Sequence, residues 1–219
     1  LNRLSQRCNQ TLTVASVIGR EFSLEQLKPL IEDMSEDRLL EVLEEALAAR
    51  VIEELPKIVG RYQFTHALIQ ETLLGELSLT RRVRLHARIA ETLETLYGAN
   101  AEAHAAELAH HFAQAESVLG IEKLVRYSLL AGEKALAAYA WEEALAHFQR
   151  ALAAKGIPLS GSEPASDHEV ASLLFGLGRA RLAVAEYYQS SEAFPNLRRA
   201  FDFYAESRDV PHAVAIARY

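Results

Sequence analysis

Side chains able to do chemistry are few and scattered along this chain. His104, Glu107 and His111 stand at i, i+3 and i+7, so they share one helical face with His110 beside them. Imidazole and carboxylate are ordinary zinc ligands. Ligands two turns apart on one helix diverge, however, so the spacing reads as a polar stripe between helices and no metal site is assigned. Arg81, Arg84 and Arg88 share a second face. They could hold a phosphate or nucleic acid, pair with acids such as Glu91 and Glu94, or face a neighbouring domain. Cys8 is the single cysteine, has no histidine near it in sequence, and reads as a small buried side chain. No Ser–His–Asp set or carboxylate pair has a spacing that calls for catalysis. There is no GxxxxGKS/T phosphate loop, and no apolar strand ends in paired acids for magnesium. Gly176-Leu177-Gly178 lies within a helical pattern and lacks a third glycine. The remaining candidate is His66, in Phe64-Thr65-His66-Ala67-Leu68, where a strand pattern passes into a helix pattern. Such a histidine caps or packs the corner unless a ligand meets it.

The elements that would position these residues follow from periodicity. Residues 2–18 become apolar at Leu12, Val14, Ala15, Val17 and Ile18, and Gly19 suits a helix stop. Ser23 to Gln26 has capping-box spacing and opens a second helix, which Pro29 shortens or kinks. Ser35, Glu36 and Asp37 start a third helix with Leu39, Leu40, Leu43 and Leu47 on its apolar stripe, ending near Arg50. Val51 to Leu55 and Arg61 to Thr65 read as two short strands around a turn at Pro56 to Gly60. Three helices and a two-stranded hairpin make a winged-helix arrangement over residues 1–80. A winged helix that reads DNA lays its third helix in the major groove. Here that helix carries Glu36, Asp37, Glu41, Glu44 and Glu45 against Arg38 and Arg50, a surface phosphates would repel.

From Ala67 onward the pattern predicts helices over 66–77, 81–97, 101–116, 120–138, 141–154, 168–187, 191–207 and 210–219. Thr80 is placed to cap the second of these and Gly98 to end it. Gly132, Ala144, Phe148 and Ala151 stand at the offsets of a tetratricopeptide repeat, with Trp141 starting its second helix. In that arrangement Phe148 fills the gap between helical hairpins. Ala193, Leu197 and Ala200 repeat the spacing, but their glycine, Gly178, lies three residues too far upstream. Residues 155–167 read as a loop, and Ser166 with Glu169 forms a capping box for the helix after it. Tyr187-Tyr188 and Phe201-x-Phe203-Tyr204 read as core of the repeat helices, or as the lining of a ligand groove. The fold expected is mainly α, a winged-helix module followed over 81–219 by a tetratricopeptide-like α-solenoid.

Composition bounds the partners. The 219 residues are 50% hydrophobic and 24% charged, a balance that can bury a sizeable core. A formal net charge of -7 disfavours general binding to nucleic acid or anionic membrane. No run approaches about 18 apolar residues, so no membrane span is expected. One cysteine and no secretory signal fit a cytoplasmic setting. A start without Met and an end inside a helical pattern suggest a fragment of a longer polypeptide.

Val14-Ala15-Ser16-Val17-Ile18-Gly19-Arg20-Glu21-Phe22 resembles the start of the winged helix that follows the nucleotide-binding domain in STAND-class, AAA-type ATPase regulators. Phe64-x-His66-x-Leu68-Ile69-Gln70-Glu71, then Arg81-Arg82-x-x-Leu85-His86, resembles the end of that module in bacterial members. Leu108-Ala109-His110-His111-Phe112 and the repeat around Trp141 are similar to their helical regions. The resemblance covers essentially the whole chain. It implies a signalling switch: an upstream ATPase domain holding ATP or ADP, and helical repeats binding a protein or small-molecule effector. The output in such regulators is a LuxR-type DNA-binding domain or a class III nucleotide cyclase. It also implies that His66 is the nucleotide sensor, since Thr65-His66-Ala67 stands where the family carries Met-His-Asp. Only the histidine carries over, because Ala67 replaces the aspartate. The chain itself is expected to be no enzyme and to hold no cofactor. A repeat scaffold without a nucleotide switch, and a control segment of a nucleotide cyclase, are the alternatives.

Overall fold

In the computed structural model of the chain, which describes residues 4–31, 34–56, 58–184 and 193–219, the polypeptide is mainly helical with one small sheet. It divides into two units, Leu1–Ala101 with Gln114–Leu119, and Glu102–Ala113 with Gly120–Tyr219. No helix among the described residues is long and apolar enough to cross a membrane.

The first unit opens with α1 (Gln6–Ile18). Ser5 Oγ caps it by accepting the Cys8 amide at 3.1 Å, which satisfies one of the first turn's unpaired N–H groups. Glu45 in turn accepts from both the backbone and the hydroxyl of Ser5, at 2.5 and 2.8 Å. After Gly19 comes β1 (Glu21–Ser23), then α2 (Leu24–Leu27), whose capping box between Ser23 and Gln26 forms as the spacing predicts. Pro29 follows in a tight 3-10 turn, Lys28–Leu30. Ser35 caps α3 (Glu36–Ala48), and β2 (Ile52–Glu54) and β3 (Arg61–Phe64) complete the sheet.

That sheet has three antiparallel strands in the order β1-β3-β2, not the two of the expected hairpin. The added strand pairs Phe22 opposite Tyr62 and is three residues long, too short for alternation to mark it. Its role is to bring Phe22 onto Tyr62 and Phe64, at ring separations of 5.8 and 5.7 Å. Next come α4 (Ala67–Gly75) and α5 (Leu79–Tyr97), the latter capped by Ser78 and not by Thr80. Helix α5 packs on α1 and α2 in this unit, Gln26 donating to the Tyr97 hydroxyl at 2.9 Å. Cys8, Leu12, Leu39, Leu43, Phe64 and Leu93 are core residues. Burial, helped by the charge of Glu45, pushes the Cys8 thiol up to about 11, so it stays protonated and packs as an apolar side chain.

The helix expected from residue 101 begins instead as a 3-10 segment, Gly98–His104, and continues as α6 (Ala105–Gln114), with a short α7 (Glu116–Leu119) after it. The second unit's main body is α8 (Glu122–Ala137), α9 (Trp141–Ala154), α10 (His168–Val184), α11 (Ala193–Glu206) and α12 (Val210–Ile216). Each of these helices packs against the next, and α8 also touches α10. Phe148 of α9 fills the space between α8 and α10. A Cβ on Gly132 would sit 2.7 Å from its ring, and one on Gly176 only 2.3 Å. Leu197 of α11 stands against Gly178 in the same way, at 2.5 Å. The irregular glycine offset therefore still delivers a small residue under a large one. The span holding the surplus residues includes 185–192, which, with Tyr187 and Tyr188, lies outside the described residues.

Residues 155–167 form the expected loop, and Arg199 fixes it. This buried guanidinium donates to the Glu163 and Pro158 carbonyls at 2.7 and 2.8 Å, while the Ala165 amide donates to the Arg199 carbonyl at 3.1 Å. Asp167, not Ser166, caps α10, accepting the Val170 amide at 2.8 Å. Gly176-Leu177-Gly178 is interior to α10.

Candidate functional site

His66 sits where β3, the central strand, turns into α4. The backbone on either side is fixed. The Thr65 amide donates to the Val51 carbonyl at 3.1 Å, and the Thr65 hydroxyl donates to the Arg50 carbonyl at 2.9 Å. Below, Phe64 and Leu73 are buried, and Gln70 ties α4 to α1 by donating to the Ser16 carbonyl at 2.9 Å. His66 has extended φ and ψ of -136° and 136°, and its carbonyl accepts the Ile69 amide at 3.0 Å. Its imidazole neither caps α4 nor packs: the residue is exposed, and the ring has no hydrogen-bond partner among the described residues. Ala67 and Leu68 beside it are exposed too, Leu68 by 71%. A rigid corner that presents an unengaged imidazole can donate an N–H to an external acceptor without rearranging.

The arginine face of α5 divides. Arg88 donates to the Leu30 carbonyl at 2.9 Å and so helps hold the unit together. Arg81 and Arg84 line a cleft of about 930 Å³ with Gln6, Asn9, Thr13 and Glu76. Among the described residues no acid forms an ion pair with either guanidinium, so pairing with Glu91 or Glu94 does not account for them. The cleft is a cationic surface within the first unit.

In the second unit, α8 and α10 flank a groove of about 440 Å³ lined by Glu133, Leu136, Trp141, Arg179, Leu182 and Tyr219. Arg179 pairs with Glu133 and lies over the Phe175 ring, 4.4 Å from its centre. Tyr139, 77% exposed, meets Trp141 edge-on at 5.2 Å. A second cleft of about 890 Å³ lies along α11 and the end of α12, with Phe194, Phe201, Ile216 and Tyr219 on its walls. Of the aromatic run in α11, Tyr204 is core, Phe203 packs against the core, and Phe201 faces this cleft. Tyr204 and Phe203 thus fit the core reading, and Phe201 borders a cleft.

The sequence stripe His104, Glu107 and His111 splits: His104 ends the 3-10 segment, while His110 and His111 of α6 meet edge-on at 5.2 Å. His104 Nδ1 lies 3.7 Å from Glu107 Oε2, which leaves a partly exposed pair, whereas His111 is fully buried. A grouping that sequence reading missed is His168, Asp209 and His212, whose ligand atoms all lie within 4.8 Å of one another. Its members come from opposite ends of the α10–α12 segment, so no local spacing could have marked them. No protein-family model, curated protein or solved structure matches the chain.

Proposed function

We propose that the chain is a regulatory and protein-interaction segment of a STAND-type signalling ATPase, built as a winged-helix module followed by tetratricopeptide-like repeats. The observation that carries this reading is the His66 corner. A histidine held by β3 and α4, exposed and unengaged, is placed to sense something outside its own unit. In the proposed switch that ligand is the ADP or ATP of an upstream ATPase domain, and His66 donates to a phosphate oxygen. The packing of Phe148 against Gly132 and Gly176 supports the repeat reading, because interleaved small and large residues let successive hairpins approach closely. The effector, a protein or a small molecule, would lie in the groove between α8 and α10, where Trp141 offers aromatic surface with Tyr139 edge-on beside it.

The second reading is a repeat scaffold that binds a protein with no nucleotide switch. Ala67 favours it, since that position offers no carboxylate beside His66. One experiment separates the two. In the full-length parent, His66→Ala should release bound ADP at least about tenfold faster, the loss of one charge-assisted hydrogen bond. Unchanged ADP release, or a parent with no phosphate loop upstream, would leave the scaffold as the function.

A further inference from the structure

Two imidazoles and a carboxylate converge at the corner where α12 folds back toward the start of α10. Asp209 Oδ2 lies 2.8 Å from His212 Nδ1. The rings of His168 and His212 meet edge-on at 5.4 Å. Tyr204, buried in the core, orients both: it stacks on His212 at 4.7 Å and 16°, and meets His168 edge-on at 5.5 Å. Ser172 Oγ bridges the same groups, 3.1 Å from the Tyr204 hydroxyl and 3.4 Å from His168 Nδ1.

Part of this has a local explanation. Asp209 caps α12 by accepting the His212 amide at 3.3 Å, and its contact with the His212 ring completes that turn. Capping does not explain why His168, from another helix, is brought edge-on to the same spot. Asp209 Oδ2 and His212 Nδ1 face each other at the spacing of two ligands on one ion, and one ligand atom from each of His168, Asp209 and His212 lies within 4.8 Å of the others. A bound cation would take the place of the proton between Asp209 and His212, both of which then act as ligands.

We propose that His168, Asp209 and His212 bind a borderline-soft divalent cation of the zinc class, clipping the first turn of α12 to the first turn of α10. Two imidazoles favour zinc and its neighbours over calcium and magnesium, which take oxygen ligands. Ligand atoms around a tetrahedral zinc stand about 3.3 Å apart, given bonds of about 2.0–2.2 Å. Closing from within 4.8 Å asks for small side-chain rotations of the half-exposed His212 and the exposed His168, with no helix movement. Three protein ligands leave the fourth position to water. The carboxylates of Asp167 and Asp209 offset the unfavourable field of two helix N-termini on a cation.

The test uses the untagged 219-residue chain, stripped with a chelator and titrated with zinc chloride by calorimetry, with cobalt as a spectroscopic stand-in. The expected result is one equivalent of zinc per chain, a raised melting temperature, and cobalt absorption typical of a tetrahedral site. His168→Ala, an exposed change in the first turn of α10, should keep the helical circular dichroism and weaken this zinc affinity by more than about 10-fold, since a ligand lost costs more than an outer-shell partner. His212→Ala should do the same, and His104→Ala should leave the affinity unchanged. Absence of a stoichiometric equivalent overturns the proposal. So does zinc binding that survives His168→Ala with its affinity unchanged.

Discussion

Phe148 shows how a single side chain sets the spacing of three helices. Its ring touches Gly132 on one side and Gly176 on the other, with less room at Gly176 than any real Cβ occupies. Gly176→Ala should therefore destabilise the chain by about 1–3 kcal/mol through overpacking, although alanine is the better helix former. Phe148→Leu, by shrinking the ring, should relieve part of that cost. A double-mutant cycle in denaturant then gives a coupling energy above about 0.5 kcal/mol. Additive effects would show that the glycine is small for another reason. The Gly132–Phe148 relation was legible in the sequence, because repeat spacing is a local code with fixed offsets. Gly176 was not assigned to it, since its partner lies on the preceding helix and nothing in the intervening loop fixes the register. His66 was legible as a corner residue. That it neither caps nor packs depends on the Thr65 and Gln70 hydrogen bonds, which pattern does not specify.

Helix ends carry a second signal that the sequence hides. After α9 the chain turns through Gly156 at φ 67°, its amide and that of Ile157 closing back on Ala153 and Leu152. Glycine is the ordinary residue for this left-handed stop. The same closure follows α3, α8 and α11 with Arg50, Tyr139 and Arg208 in the left-handed position, at φ 55°, 61° and 58°. Each side chain there is strained, at about 1–2 kcal/mol. Tyr139 is the informative case, because it is exposed and meets Trp141, a residue that lines the α8–α10 groove. Strain kept at an exposed aromatic fits a residue retained for binding. Tyr139→Gly should raise the denaturation midpoint by an amount worth up to about 1 kcal/mol while weakening capture of the effector. A stability gain with unchanged capture would make the tyrosine incidental. The third strand, β1, belongs to this scale as well: three residues cannot show alternation, and only their pairing with β3 makes them a strand.

At the scale of the whole molecule, charge is the property that composition states most directly, and it bears on the nucleic-acid reading of the first unit. Three helices and a sheet in this order suggest DNA binding. The exposed side of α3 nevertheless carries Glu36, Asp37, Glu41 and Glu44, with Arg38 taken up by Glu41. The formal net charge of -7 adds a repulsive field. Binding to duplex DNA gains most from counterion release at phosphate contacts, and this surface offers few. The chain at micromolar concentration should leave duplex DNA unshifted at roughly 150 mM salt. A Glu41→Lys, Glu44→Lys double variant should acquire weak binding whose logarithm falls with the logarithm of salt at a slope near -2, about -0.9 for each added phosphate contact. Tight binding by the unaltered chain would mean that a different face meets the DNA. Arg81 and Arg84, unpaired in the α1–α5 cleft, would then be the first residues to replace.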